Sequence, residues 1–185
     1  MQQKSTKIVS ILYIVVLCMI ACKHKKNNSD IKITSPYFST MMKLNENGVF
    51  RGLNFNMDVD AVQKVESSKL FETTSDHLFY ELSFPVDSSQ FVEYANLQYF
   101  FNGNNQLDII TADVFLNDSI QEKELYQSLK KYFDNNFDAI NNDNGNFLIW
   151  RARFKESKLD ENFDYTIGLK NFTEDYGVTI EYLLQ

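Results

Sequence analysis

The sequence predicts an α+β fold: an antiparallel sheet of about six strands with two helices on one face, in the order α-βββ-α-βββ. Three observations predict it. Six runs read as strands, the clearest of them alternating apolar and polar residues with period two. Two other segments repeat apolar residues at helical spacing behind a capping residue. The 185 residues are 44% hydrophobic and 15% aromatic, enough to build a core, while 6 Gly, 2 Pro and 2 Cys exclude a collagen-like or disulfide-scaffold chain.

The first helix follows Asp58, whose carboxylate can accept the orphan N–H groups of a helix start. Val62 and Val65 give it one apolar stripe, and Lys69-Leu70 extend that stripe. In the first strand Leu78, Tyr80, Leu82 and Phe84 alternate with His77, Phe79, Glu81 and Ser83. Residues 91–101 and 107–116 form a hairpin around Asn102-Gly103-Asn104-Asn105-Gln106, where Gly103 can take a positive φ. Ser119-Ile120-Gln121-Glu122 has the spacing of a capping box and opens the second helix, with Leu125, Leu129, Tyr132 and Phe133 on one face. After a polar loop at 141–146, three more strands are expected over 147–154, 163–170 and 178–184. The set expected to face the helices is Leu78, Tyr80, Leu82, Ala112, Val114, Leu148, Trp150, Ala152, Tyr165, Ile167, Val178, Ile180 and Tyr182, which assigns Trp150 to the core.

The N-terminus carries an address. Lys4 and Lys7 precede an apolar run at 8–20, only 13 residues long where a membrane span needs about 20. A basic start, a short apolar run and a small residue describe a secretory signal. Met19-Ile20-Ala21-Cys22 resembles the bacterial lipobox, with Met19 where Leu is commonest. The resemblance implies a signal peptide at 1–21 and an acylated Cys22 that fixes the protein in a lipid bilayer, each buried CH₂ adding about 0.8 kcal/mol. The expected location is the bacterial envelope, and the lack of an acidic export run after Cys22 favours the outer membrane facing the periplasm. With Cys18 in the leader and Cys22 lipidated, no thiol remains for a disulfide, a metal site or a nucleophile.

A flexible tether is expected over 22–42 and a single domain of two α-βββ halves over 43–185. Lys23, Lys25, Lys26 and Lys32 make the tether basic, whereas from Lys43 onward 12 basic residues face 24 acidic ones, a net charge of −12. That balance argues against nucleic acid as a partner.

The run Gly52-Leu53-Asn54-Phe55-Asn56-Met57-Asp58-Val59-Asp60-Ala61-Val62 resembles the G-x-x-F-G-M-S-x-x-E-V opening of small secreted modules, those of the β-lactamase-inhibitor-protein-like and outer-membrane-assembly lipoprotein-like folds. Asn56, Asp58 and Ala61 depart from the pattern. The resemblance implies a helix followed by a βββ meander, and a binding module.

Residue chemistry points away from catalysis. The domain has one His, His77, no Cys and no glycine-rich phosphate loop, so no catalytic residue, metal site or cofactor is expected. The oxygen-rich stretch 134–146 lacks the ligand spacing of an EF-hand and reads as a solvated loop. Asp118-Ser119-Ile120 resembles an envelope O-glycosylation site but is also explained as a helix cap. The face of the sheet turned from the helices is the unusual feature. It is expected to present Phe79, Tyr94, Phe100, Ile109, Phe115, Phe147, Ile149, Arg151 and Arg153, with Glu81, Asn96, Gln98, Thr111 and Asp113 between them. A solvated face is normally polar, and aromatics with Arg are the residue types of binding hot spots. Phe79, Tyr94, Phe100, Phe115, Ile149, Arg151 and Arg153 are therefore the expected contacts for an envelope protein partner, in an assembly, inhibitory or immunity role. The alternative is a small-ligand, glycan-binding or hydrolytic cleft using acids such as Asp113 and Glu81.

Overall fold

A computed structural model describes residues 35–84, 92–140, 147–156 and 161–185. The expected signal peptide, Cys22, most of the tether, Phe91 and the 141–146 loop lie outside the described residues. The described chain belongs to one unit that begins at Lys32.

The expected tether is shorter than the sequence suggests. Tyr37–Met42 forms a helix, α1. Tyr37, Phe38, Met41 and Met42 recur at helical spacing and are all buried, so this segment is part of the core. The backbone N–H of Ser35 donates to the Ser128 hydroxyl at 3.3 Å, and the Tyr37 hydroxyl donates to buried Glu93 at 2.6 Å. α2 spans Val59–Val65, with the Asp58 side chain accepting from the Ala61 N–H at 2.8 Å. It stops before Lys69-Leu70, which open a strand instead.

The strands are β1 Lys69–Thr73, β2 His77–Ser83, β3 Tyr94–Phe101, β4 Leu107–Phe115, β5 Asp138–Ile140, β6 Leu148–Glu156, β7 Glu161–Asn171 and β8 Gly177–Leu184. Every pairing is antiparallel, in the order β1-β2-β3-β4-β8-β7-β6-β5. This corrects the expected six-strand, two-helix α+β arrangement. The fold is dominated by one eight-stranded sheet, with three helices among the described residues. Each half is a helix followed by four strands, because the sequence reading missed the edge strands β1 and β5. The last strands of the two halves, β4 and β8, pair at the sheet centre, so the halves are related by a local two-fold through the Ala112–Ile180 pair. The sequence echoes it: Thr111-Ala112-Asp113-Val114-Phe115 matches Thr179-Ile180-Glu181-Tyr182-Leu183 in residue type.

α3, Ser119–Asn136, begins one residue earlier than the capping-box reading implies. Asp118 is the cap, accepting from the N–H groups of Ile120 and Gln121, both at 2.8 Å, and Ser119 is the first helical residue. Asp118→Ala is therefore expected to cost about 1 kcal/mol in urea unfolding, and Ser119→Ala well under half of that.

The helices and the 43–57 segment cover one sheet face. Phe133 of α3 packs on Trp150 at 5.2 Å between ring centroids, Phe50 on Tyr182 at 5.1 Å and Phe55 on Tyr165 at 5.4 Å. The expected helix-facing set is buried except for Leu82, half-buried, and Leu148, 37% exposed near the β6 end.

A charged clamp that sequence reading missed ties this layer together. Arg51 is 2% exposed and sits at a φ of 51°. Its guanidinium grips Glu66 with two bonds, 2.9 and 3.1 Å, and donates to the carbonyls of Thr40 and Met41 and to the Ser68 hydroxyl. The Tyr99 hydroxyl of β3 donates to the same carboxylate at 2.6 Å. The clamp thus joins the end of α1, the end of α2 and the sheet. Burial pushes the Glu66 carboxyl up, but the Arg51 bonds and charge, with those from Tyr99 and the Ser68 N–H, more than reverse this and hold it at about 2.

Candidate functional site

Strand alternation sends the second face of the sheet away from the helices, and register sorts that face into rows. One row runs Ser83, Tyr94, Phe115, Gly177 across β2, β3, β4 and β8. The next runs Glu81, Asn96, Asp113, Thr179, Lys170. The third is Phe79, Gln98, Thr111, Glu181, Gly168, Ile149, and the fourth His77, Phe100, Ile109, Leu183, Thr166, Arg151. The aromatic residues therefore do not merge into one patch. The polar second row and the mixed third separate the ring pair of the first row from Phe100, Ile109 and Leu183 in the fourth.

The rings that the sequence singled out are half-buried by one another. Tyr94 stacks on Phe115 at 4.8 Å, and Phe115 meets Phe172 of the β7–β8 loop at 5.1 Å. Phe100 stacks on His77 at 4.5 Å. Phe79 packs on Phe71 of β1 at 5.4 Å, and Phe71 is 61% exposed with Lys69 over its ring. Phe71 and Phe172 were missed because neither stands in an alternating run: one lies on an edge strand exposed on both sides, the other in a loop.

The expected arginine contacts fall elsewhere. Ile149, Arg151 and Arg153 are on β6, with β7 and β8 between them and β4. At about 4.8 Å per strand, that is about 14 Å from Phe115 and further from Tyr94 and Phe79. Arg153 is also occupied, its guanidinium bonded twice to the Asp164 carboxylate opposite it, while Arg151 is exposed. That ion pair raises Arg153 and lowers Asp164 from their ordinary values, by the mutual hydrogen bond first. Phe147 lies across Gly168, with the Lys170 ammonium 4.4 Å from its ring centroid.

The acids of the alternative reading do not converge. Glu81 and Asp113 are in one row with Asn96 between them, about 10 Å apart by strand spacing, and Lys69 stands 4.0 Å from Glu81. Asp113 accepts from the Thr179 hydroxyl at 2.7 Å. Glu181, diagonal to Asp113 across the two-fold, has its carboxyl raised by burial, lowered by Lys170 and raised again by Asp113. Among the described residues no cluster of three or more His, Cys, Asp or Glu could hold a metal ion, and no helix is long and apolar enough to cross a membrane.

Where the first two rows meet the β7–β8 loop, a groove of about 420 Å³ opens, lined by Asp113, Phe115, Lys170, Phe172, Glu174 and Asp175 among others. Phe115 and Phe172 give it an aromatic wall, and Asp113, Glu174 and Asp175 give it acidic lining. No family model matches the chain, and no curated protein or solved structure does either.

Proposed function

We propose that this chain is a lipid-anchored envelope protein, held by an acylated Cys22 on the periplasmic side of the outer membrane, whose domain docks a protein partner on its open sheet face. The observation that carries this reading is the second face of the eight-stranded sheet, which no described helix covers, with its stacked rings. Where a solvated face is normally polar, Phe79, Phe100, Tyr94 and Phe115 stand instead. Large rings on a rigid scaffold lose little rotamer freedom on binding and supply most of the energy of protein contacts. The docking surface is the open face of β1–β4 and the adjoining β7–β8 loop rather than the β6 arginines. Its action is steric or scaffolding, as an assembly, inhibitory or immunity factor, and involves no bond-breaking step.

The test places a photo-crosslinking residue at Phe79, Tyr94 or Phe100, and as a control at exposed Ile120 of α3, in cells carrying the intact protein. One shared adduct from the sheet positions and none from Ile120 is expected. Phe100→Ala with Tyr94→Ala is expected to lower the adduct from position 79 at least about tenfold with the fold retained, while Arg151→Glu with Arg153→Glu changes it less than about threefold. Cys22→Ala is expected to move the protein from the membrane to the soluble fraction. Equal adducts from both faces would remove the docking face, and a Cys22→Ala protein still pelleting with membranes would remove the lipid anchor.

A further inference from the structure

We propose that the groove beside the β7–β8 loop is a socket for one basic side chain, an arginine or lysine, of the partner. The inference rests on the open face being a protein-docking surface and names what that surface recognises.

The groove is built into the fold. Phe172 can pack this close to the sheet only because residue 177 is glycine. A Cβ there would fall 2.1 Å from the Val114 carbonyl oxygen and 2.6 Å from the Phe172 ring. The Phe172 N–H donates to the Gly177 carbonyl at 2.9 Å, closing the loop and fixing the ring in place. Phe172 meets Phe115 at 5.1 Å and 60° between ring planes, so the groove presents two rings, with Tyr94 stacked on Phe115 beside it. Ring faces attract cations, and a desolvated cation gains the most.

Charge selects the occupant. Asp113 lines the groove, its carboxylate oriented by the hydroxyl of Thr179, a residue only 4% exposed. Glu174 and Asp175 stand on the rim. Against these three carboxylates the lining offers one cation, Lys170, whose ammonium lies over the Phe147 ring. The net charge of −12 from Lys43 onward extends the same field over the domain and speeds the approach of a basic surface. A volume of about 420 Å³ admits a long side chain with its waters. It does not admit a helix, whose diameter is about 10–12 Å. A guanidinium or ammonium lying on Phe115 and Phe172 would reach Asp113 with a charge-assisted bond.

The test uses the full chain in detergent micelles and the blocked peptides acetyl-Gly-Arg-Gly-amide, acetyl-Gly-Lys-Gly-amide and the citrulline analogue of the first. The amide signals of Thr173, Glu174, Asp175 and Thr179 are followed by two-dimensional NMR. Saturable shifts confined to these residues and to Asp113–Phe115 are expected with the arginine or lysine peptide. Binding should weaken at least about tenfold for citrulline, for Asp113→Asn with Asp175→Asn, and on raising the salt. Signals elsewhere in the sheet report that the variant is folded, and Phe172→Ala tests the ring independently of the acids. Equal binding of citrulline would overturn the socket in favour of a neutral polar ligand, and no saturable shift would overturn it outright. The Tyr94 crosslink separates the two levels: its survival without peptide binding refutes the socket alone, and its absence refutes the docking face beneath it.

Discussion

Arg51→Met is expected to cost the domain about 3–5 kcal/mol of stability at neutral pH, because it leaves the Glu66 carboxylate buried without its counter-charge. The same change strips the carbonyls of Thr40 and Met41 of their donor and frees the end of α1. Urea unfolding checks it, and its pH dependence gives a sharper result. In the native protein Glu66 is held at about 2 against an ordinary 4.5. A carboxyl lowered on folding adds stability above its unfolded value and loses it as the pH falls towards its folded one. The wild type should therefore weaken between about pH 5 and pH 2, by roughly 3 kcal/mol from this group. In Arg51→Met only burial and the two remaining donors act on Glu66, and protonation then relieves the buried charge. The gap between variant and wild type should accordingly narrow as the solution is acidified. A gap that stays constant down to about pH 3 would show that Arg51 acts by packing alone. Pairing Arg51→Met with Glu66→Leu should recover part of the loss, since a buried ion pair is more costly to break than to replace.

Gly177→Ala is expected to destabilise by about 3 kcal/mol or more. The added methyl would meet the Val114 carbonyl oxygen at 2.1 Å, a backbone atom fixed in the pairing of β4 with β8, and the Phe172 ring beyond it. Neither is the free end of a flexible side chain. Either Phe172 is thrown off the sheet or the central ladder opens at that end. Gly103 is the internal control: a Cβ there meets nothing within 4 Å, so Gly103→Ala should change stability by less than about 0.5 kcal/mol. Thermal unfolding of both variants separates a steric requirement at 177 from a general sensitivity of loops to alanine.

Much of the sheet was legible because its inner strands have one wet and one dry face. Tyr80, Ala112, Ile167 and Ile180 declare the core side by alternation alone. β1 was not legible, since all five residues of Lys69–Thr73 are exposed and an edge strand without a dry face shows no period. β5 has three residues, too few for a period. α1 carries a helical stripe, but six residues beside a basic linker read as linker. Arg51 gave no warning. A loop arginine is ordinarily solvated, and its partner Glu66 is brought to it only by the completed fold. The candidate face was legible as a face and not as a map. Alternation tells which side a residue is on, but the neighbour of a strand is a matter of topology. β8, last in sequence, enters beside β4 and separates the arginines of β6 from the rings of β2–β4.

That placement of β8 also sets the order in which the sheet can be completed. β4 is made early, yet its second neighbour arrives only after α3 and three more strands. Until then the first half holds an open edge of unbonded backbone at what will be the centre of the protein, the kind of edge on which chains aggregate. A pairing so distant in sequence closes slowly. A chain crossing a membrane unfolded would emerge with that edge exposed for as long as β8 lags behind, and the rate of this one closure, rather than the stability of either half, would govern how much of the protein reaches its native form.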